Sequence, residues 1–124
     1  ERGYKKLYCP FAPVYHSHNF KLSEYFKRYY DEYKGLYRLH KFLISSSWFK
    51  VPFQIVKHDL DDARYIKNQN ISKKEKLYWV WYSLCRNFSR YVGGYLGGKY
   101  AGYSRKKQVW LDRHISQQYE QRNA

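Results

Sequence analysis

The side chains able to do acid–base, metal or redox chemistry in this chain of 124 residues are few and scattered. The five histidines are His16, His18, His40, His58 and His114. His16-x-His18, with Cys9 nearby, has the spacing of a metal corner but lacks a convincing fourth ligand for a tetrahedral set. Asp59, Asp61 and Asp62 crowd one stretch; on a helix only Asp59 and Asp62 share a face, and a solvated polar face accounts for them. No serine, histidine and acid stand in a spacing or context that suggests nucleophilic work. The expectation is therefore no metal, no cofactor and no enzymatic activity. Cys9 and Cys85 are the only cysteines. They read either as a disulfide that staples the N-terminal segment to a helix in an extracellular protein, or as two buried thiols. Asn70-Ile71-Ser72 and Asn87-Phe88-Ser89 have the glycosylation pattern, and only Asn70, just ahead of a helix, has a suitable setting.

Interfacial chemistry has the stronger signal. Ser72-Lys73-Lys74-Glu75 is a capping-box pattern, in which the hydroxyl and the carboxylate satisfy each other's free backbone donors, and a helix is predicted from there. Steps of 100° place Leu77, Trp81, Leu84, Phe88 and Tyr95 on one arc, the expected inner face. The opposite arc holds Lys76, Trp79, Tyr82, Arg86 and Arg90. Rings beside cations on an outer strip suit a surface that is partly apolar and negatively charged, and a phospholipid headgroup layer is both. Trp79 and Tyr82 are the expected interfacial aromatics. Lys73, Lys74, Lys76, Arg86 and Arg90 are the expected basic contacts, joined by Arg105-Lys106-Lys107, whose charge sits unfavourably at a positive helix end and so favours an external anion. The competing reading packs Trp79 and Tyr82 against the N-terminal arm or another helix, because Leu77 to Tyr82 is apolar all round.

The elements that position these residues follow from hydrophobic period. Residues 1–20, with Cys9-Pro10 and Pro13, show none and read as an irregular arm. Leu22, Phe26, Tyr29, Tyr33, Leu36, His40 and Leu43 recur at helical steps opposite Lys27, Arg28, Asp31, Lys34, Arg38 and Lys41, predicting a long helix capped by Ser23. Ser45-Ser46-Ser47 breaks it. Pro52 suits a first helical turn, and Phe53, Val56, Leu60, Ala63 and Ile66 trace the inner face of a second helix. The glycines at 93, 94, 97 and 98 read as the end of the third helix, although their four-residue spacing also suits a close helix contact. Ser104 is placed as the cap of a last helix with Gln108, Leu111, Ile115 and Tyr119 on one side, and the tail from Gln121 should fray. No segment alternates with period two. The prediction is an all-α chain: one helical domain over residues 1–124, a compact bundle of amphipathic helices with an irregular N-terminal arm.

Composition sets the class of partner. Lys and Arg number 24 against 10 Asp and Glu, a formal charge of +14 that calls for an anionic partner. Aromatic residues make up 22% of the chain, so the core is expected to be built largely of rings. No apolar run approaches the roughly 18 residues of a membrane span. A chain without methionine that starts at Glu1 reads as a processed polypeptide. Nucleic acid is disfavoured as a partner, since no zinc-finger spacing, phosphate loop or aromatic sheet signature is present.

Lys41-Phe42-Leu43, followed after ten residues by Gln54-Ile55, and then Ser72 with Lys73-Lys74 and Leu77-Tyr78-Trp79-Val80, resemble the early helices of the sperm lysin family of abalone and related marine snails. The resemblance implies a small, basic, all-helical protein that is secreted from the sperm acrosomal vesicle and acts without enzymatic cleavage. Two activities come with it. One disrupts the egg vitelline envelope by binding its fibrous glycoprotein; the other, in an acrosomal paralogue with a more extreme surface, promotes fusion of sperm and egg membranes. The aromatic excess favours the fusogenic activity, with an anionic membrane surface as first partner, egg-coat glycoprotein as the alternative and a homodimer left open. A nucleic-acid-associated, ribosomal-type structural protein is the rival from another class.

Overall fold

The computed structural model describes residues 21–119, and their regular structure is helical throughout. In chain order come α1 (Leu22–His40), α2 (Lys50–Lys67), α3 (Lys73–Phe88), a π-helical turn (Ser89–Gly93), α4 (Gly94–Gly98), a 3-10 turn (Tyr100–Gly102) and α5 (Arg105–Ile115). They pack as the expected all-α bundle. The predicted arm with Cys9, His16 and His18, and the predicted fraying tail, lie outside the described residues.

Local chemistry sets the helix ends. The Glu24 carboxylate accepts from the Lys21 amide at 2.9 Å, so α1 begins ahead of the expected cap Ser23, which sits inside the first turn. It stops at Lys41, in the left-handed region at φ 56°, short of the expected Leu43. Pro52 lies in the first turn of α2 as predicted. The capping box at α3 forms: the Glu75 amide donates to the Ser72 hydroxyl at 3.2 Å and the Ser72 amide to the Glu75 carboxylate at 2.9 Å. Ser104 precedes α5 without a side-chain cap. Instead the Gln108 side chain donates to the Tyr100 and Tyr103 carbonyls, both at 3.1 Å.

The glycine stretch does not end the third helix. The π turn at Ser89–Gly93 carries the chain on into α4, and Gly93, Gly94 and Gly97 lie directly against α1. A Cβ at Gly93 would stand 2.8 Å from the Phe26 carbonyl oxygen. None of these glycines needs a positive φ; the missing side chains of Gly93 and Gly97 permit backbone-to-backbone approach, and that of Gly94 makes room for the Tyr33 ring. The extra residue in a π turn rotates the continuing helix by about 100°. Tyr95 is thereby parted from the arc of Leu77 and lies against Trp48, ring centroids 5.4 Å apart.

The buried apolar core is small and ring-rich: Tyr30, Tyr33, Val51, Tyr91 and Leu111. Tyr30, which the helical pattern of α1 did not single out, is completely buried. Its hydroxyl donates to Asp112 at 3.0 Å, beside donations from Lys34 at 2.6 Å and Tyr100 at 2.6 Å. This carboxylate pins α5 to α1. Burial alone would raise its pKa, but the hydrogen bonds from Lys34, Tyr100 and Tyr30 and the lysine charge hold it below the ordinary value.

Candidate functional site

α2 and α3 form an antiparallel hairpin whose facing sides are polar. The Asn87 side-chain amide donates to Asp59 at 2.8 Å and to Asp62 at 2.9 Å, and the Ser83 hydroxyl donates to Asp62. Near the hairpin tip the Lys76 ammonium donates to the Lys67 carbonyl at 2.7 Å. Burial works to raise the pKa of Asp62, yet the donors Ser83 and Asn87, with the charges of Arg86 and His58, bring it below the ordinary carboxylate value. Asn87, at 7% exposure, is thus a polar residue that can be buried because it is bonded. Its amide nitrogen is engaged by both carboxylates, whereas Asn70 is exposed.

With polar faces turned inward, the apolar faces turn outward. Phe53, Val56 and Leu60 on α2, expected inside, are 77%, 56% and 52% exposed. Leu77, Trp81, Leu84 and Phe88 on α3, likewise expected inside, are 73%, 61%, 42% and 51% exposed. The two arcs join. Measured from the facing residues Asp62 and Ser83, the α2 set lies about 120–180° round its helix and the α3 set about 100–160° round its own, in the same sense of rotation. In an antiparallel pair, equal senses turn both arcs to one side of the hairpin. Arg64, Lys67, Lys73 and Lys74 are exposed at the tip end of this surface. Ala63 and Ile66, the other expected inner residues of α2, are half-buried.

The strip expected to face outward divides. Tyr82, Arg86 and Arg90 turn toward α1; Tyr82 and Arg90 are half-buried and Arg86 is exposed at the rim. The Tyr82 hydroxyl donates to that of Tyr25 at 3.3 Å, their rings edge to face at 6.4 Å, and this bond followed by burial pushes the Tyr82 phenol up to about 12. Arg86 lies beside the Tyr29 oxygen and Arg90 beside that of Tyr33; each phenol oxygen favours the guanidinium's charged form and raises its pKa. Trp79 is 46% exposed, edge-on to Tyr82 at 5.6 Å, and lines a cleft of about 350 Å³ shared with Tyr65 and Ile66 of α2. Lys76 is tied to the tip, while Lys73 and Lys74 are exposed. Arg105, Lys106 and Lys107 are exposed on α5, with Lys107 over the Tyr103 ring at 3.8 Å. Cys85 is half-buried on α3, and its candidate partner Cys9 lies outside the described residues.

Sequence reasoning found the apolar residues but assigned them inward. A signal for the opposite orientation was present: Asp59 with Asp62, and Ser83 with Asn87, stand at one-face spacing on adjacent helices and complement each other as acceptors and donors. Among the described residues no group of three or more His, Cys, Asp or Glu could hold a metal ion, and no helix is long and apolar enough to cross a membrane. The chain matches no known protein family, no curated protein and no solved structure.

Proposed function

We propose that this chain is a non-enzymatic, membrane-active protein that lays the outer face of the α2–α3 hairpin on an anionic bilayer and perturbs it. One observation carries the reading: seven apolar side chains from two helices share one exposed side of a chain with net charge +14. Partial transfer of such a set from water into the acyl boundary contributes on the order of 5–10 kcal/mol. The cations at the hairpin tip select the bilayer's sign, each adding about 1 kcal/mol near an anionic surface. Helices too short and too charged to span instead lie in the headgroup layer, spreading lipid on one leaflet. The resemblance to the acrosomal lysin family extends the reading to a secreted sperm protein that promotes fusion with the egg membrane.

The test is lipid mixing and leakage with labelled neutral and anionic vesicles. The wild-type chain is expected to act on anionic vesicles, and a folded Leu77→Ser/Trp81→Ser variant to lose most of that action. Full activity in the folded variant, or inertness of the wild type on both vesicle types, would overturn the proposal. Dissolution of isolated egg envelopes by a chain inert on vesicles would favour the envelope-binding alternative.

A further inference from the structure

On the opposite side of α3 from the apolar face, a polar cleft of about 380 Å³ opens between α3 and α1. Arg86 and Arg90 come from one wall; Arg28, Tyr25, Tyr29 and Tyr33 come from the other, with Glu32 the single carboxylate of the lining. Its spacing is regular. Arg86 and Arg90 stand four residues apart and meet Tyr29 and Tyr33, also four apart, because the two segments run in the same direction. The guanidiniums of Arg86 and Arg90 share this cleft and repel each other. Among the described residues neither Arg86 nor Arg90 has a carboxylate within ion-pair distance, although Arg90 is half-buried and carboxylates such as Asp112 and Asp61 are paired elsewhere with Lys34 and Arg64.

We infer that this cleft binds a tetrahedral oxyanion, the phosphate or sulfate group of an ester, with Arg86 and Arg90 as its principal ligands. The guanidinium's planar fork presents paired donors that match the oxygen spacing of such a group, which an ammonium does not. Each tyrosine oxygen that accepts from a guanidinium keeps its own O–H as a donor for the anion. The volume falls within the ordinary range of small-ligand sites, so the esterified carbon and its neighbours have room as well as the anion. Burying a compensating charge among the arginines removes their mutual repulsion, and the largely polar lining gives an apolar group little to gain. Facing away from the hairpin's apolar side, the cleft remains open when that side is on a bilayer; the inference stands whether or not the membrane reading does.

Calorimetric titration of the whole chain with inorganic phosphate, methyl phosphate and methyl sulfate, each against sodium chloride at equal ionic strength, tests it. Saturable binding is expected in the wild type, undiminished in Lys73→Gln/Lys74→Gln and weakened about tenfold or more in Arg86→Gln/Arg90→Gln, which removes the same charge from the cleft. Arg90→Lys, which keeps the charge and loses the fork, is expected to weaken binding with helicity intact by circular dichroism, so the site can be judged even if the double variant misfolds. Absence of saturable binding in the wild type, or equal weakening in the two glutamine pairs, would overturn the site. Co-sedimentation with neutral vesicles, plain or containing phosphatidic acid, separates the sources: phosphatidic-acid-dependent binding lost in Arg90→Lys assigns a lipid headgroup, and its retention alongside weakened methyl ester binding assigns a soluble ester.

Discussion

Gly97 and Tyr30 meet backbone to backbone: a Cβ placed on Gly97 would stand 2.1 Å from the Tyr30 carbonyl oxygen. The obstacle is main chain of α1, in the middle of a helix, and cannot rotate aside. Gly97→Ala is therefore expected to force α4 from α1 and disturb the burial of Tyr30, at about 3 kcal/mol or more. Gly35 provides the contrast. It lies in α1 with nothing within 4 Å of the place a methyl would take, so Gly35→Ala should stabilise by about 0.5–1 kcal/mol through helix propensity. Urea unfolding of both variants checks the pair; a Gly97→Ala chain as stable as the wild type would refute the close contact.

Asp112, like Asp62, ties acid stability to a particular hydrogen-bonded carboxylate. Its folded pKa lies below the 3.8 of an ordinary aspartate, so its contribution is fully present above that value and is lost as pH falls through the folded pKa. Tyr100 has the opposite sign. Burial and then the bond to Asp112 push its pKa from 10.0 up to about 12, so the neutral form stabilises the fold below pH 10 and that stability is lost as pH rises toward 12. Stability is thus expected to be flat between these limits and to fall on both sides. Asp112→Ala, which strands the buried Tyr30 hydroxyl, should cost about 2–3 kcal/mol at neutral pH and flatten the acid limb. Thermal melts across pH for wild type and variant measure both.

The contrast between these buried sites and the hairpin explains how much was legible beforehand. Ser72 and Glu75 are close in sequence, and their mutual capping was readable because it is a local exchange of donors and acceptors. Tyr33 was readable from the period of α1. The orientation of α3 was not, because period alone says which residues share a face and not which face turns inward. Leu77, Trp81, Leu84 and Phe88 share one arc, but the inward position went to Ser83 and Asn87, whose partners Asp59 and Asp62 lie on another helix. Nor does propensity announce a π turn at Ser89, where the Ser89 hydroxyl donates to the Cys85 carbonyl at 2.8 Å and the phase of everything beyond is reset.

Two tryptophans on α3 separate the competing membrane faces. Trp81 sits amid the apolar side with 61% exposure, while Trp79 lines a cleft against α2 and rests on Tyr82. Trp81→Ala removes up to about 3 kcal/mol of insertion energy and little folding energy, whereas Trp79→Ala and Tyr82→Ala remove packing between helices. Vesicle binding is expected to fall about tenfold or more in Trp81→Ala with unchanged melting. In the Trp79→Ala/Tyr82→Ala pair the melting temperature should fall more than the binding. The reverse pattern would move the membrane contact to the Trp79 strip.

Salt separates the electrostatic from the apolar part of the same interaction. Arg64, Lys67, Lys73 and Lys74 at the hairpin tip act through a field screened over about 8–10 Å at physiological ionic strength, whereas contact between Phe53, Leu77 or Trp81 and acyl chains is indifferent to screening. Raising salt is therefore expected to weaken binding to anionic vesicles without abolishing it. Lys73→Gln/Lys74→Gln should lower affinity at low salt by about 2 kcal/mol, roughly thirtyfold, and shrink the salt dependence, with the two curves converging at high salt. Leu77→Ser/Trp81→Ser should do the opposite, keeping the slope and lowering the high-salt plateau. Co-sedimentation across a salt series decides: complete release of the wild type at high salt would leave the apolar face without a role in binding, however exposed it is.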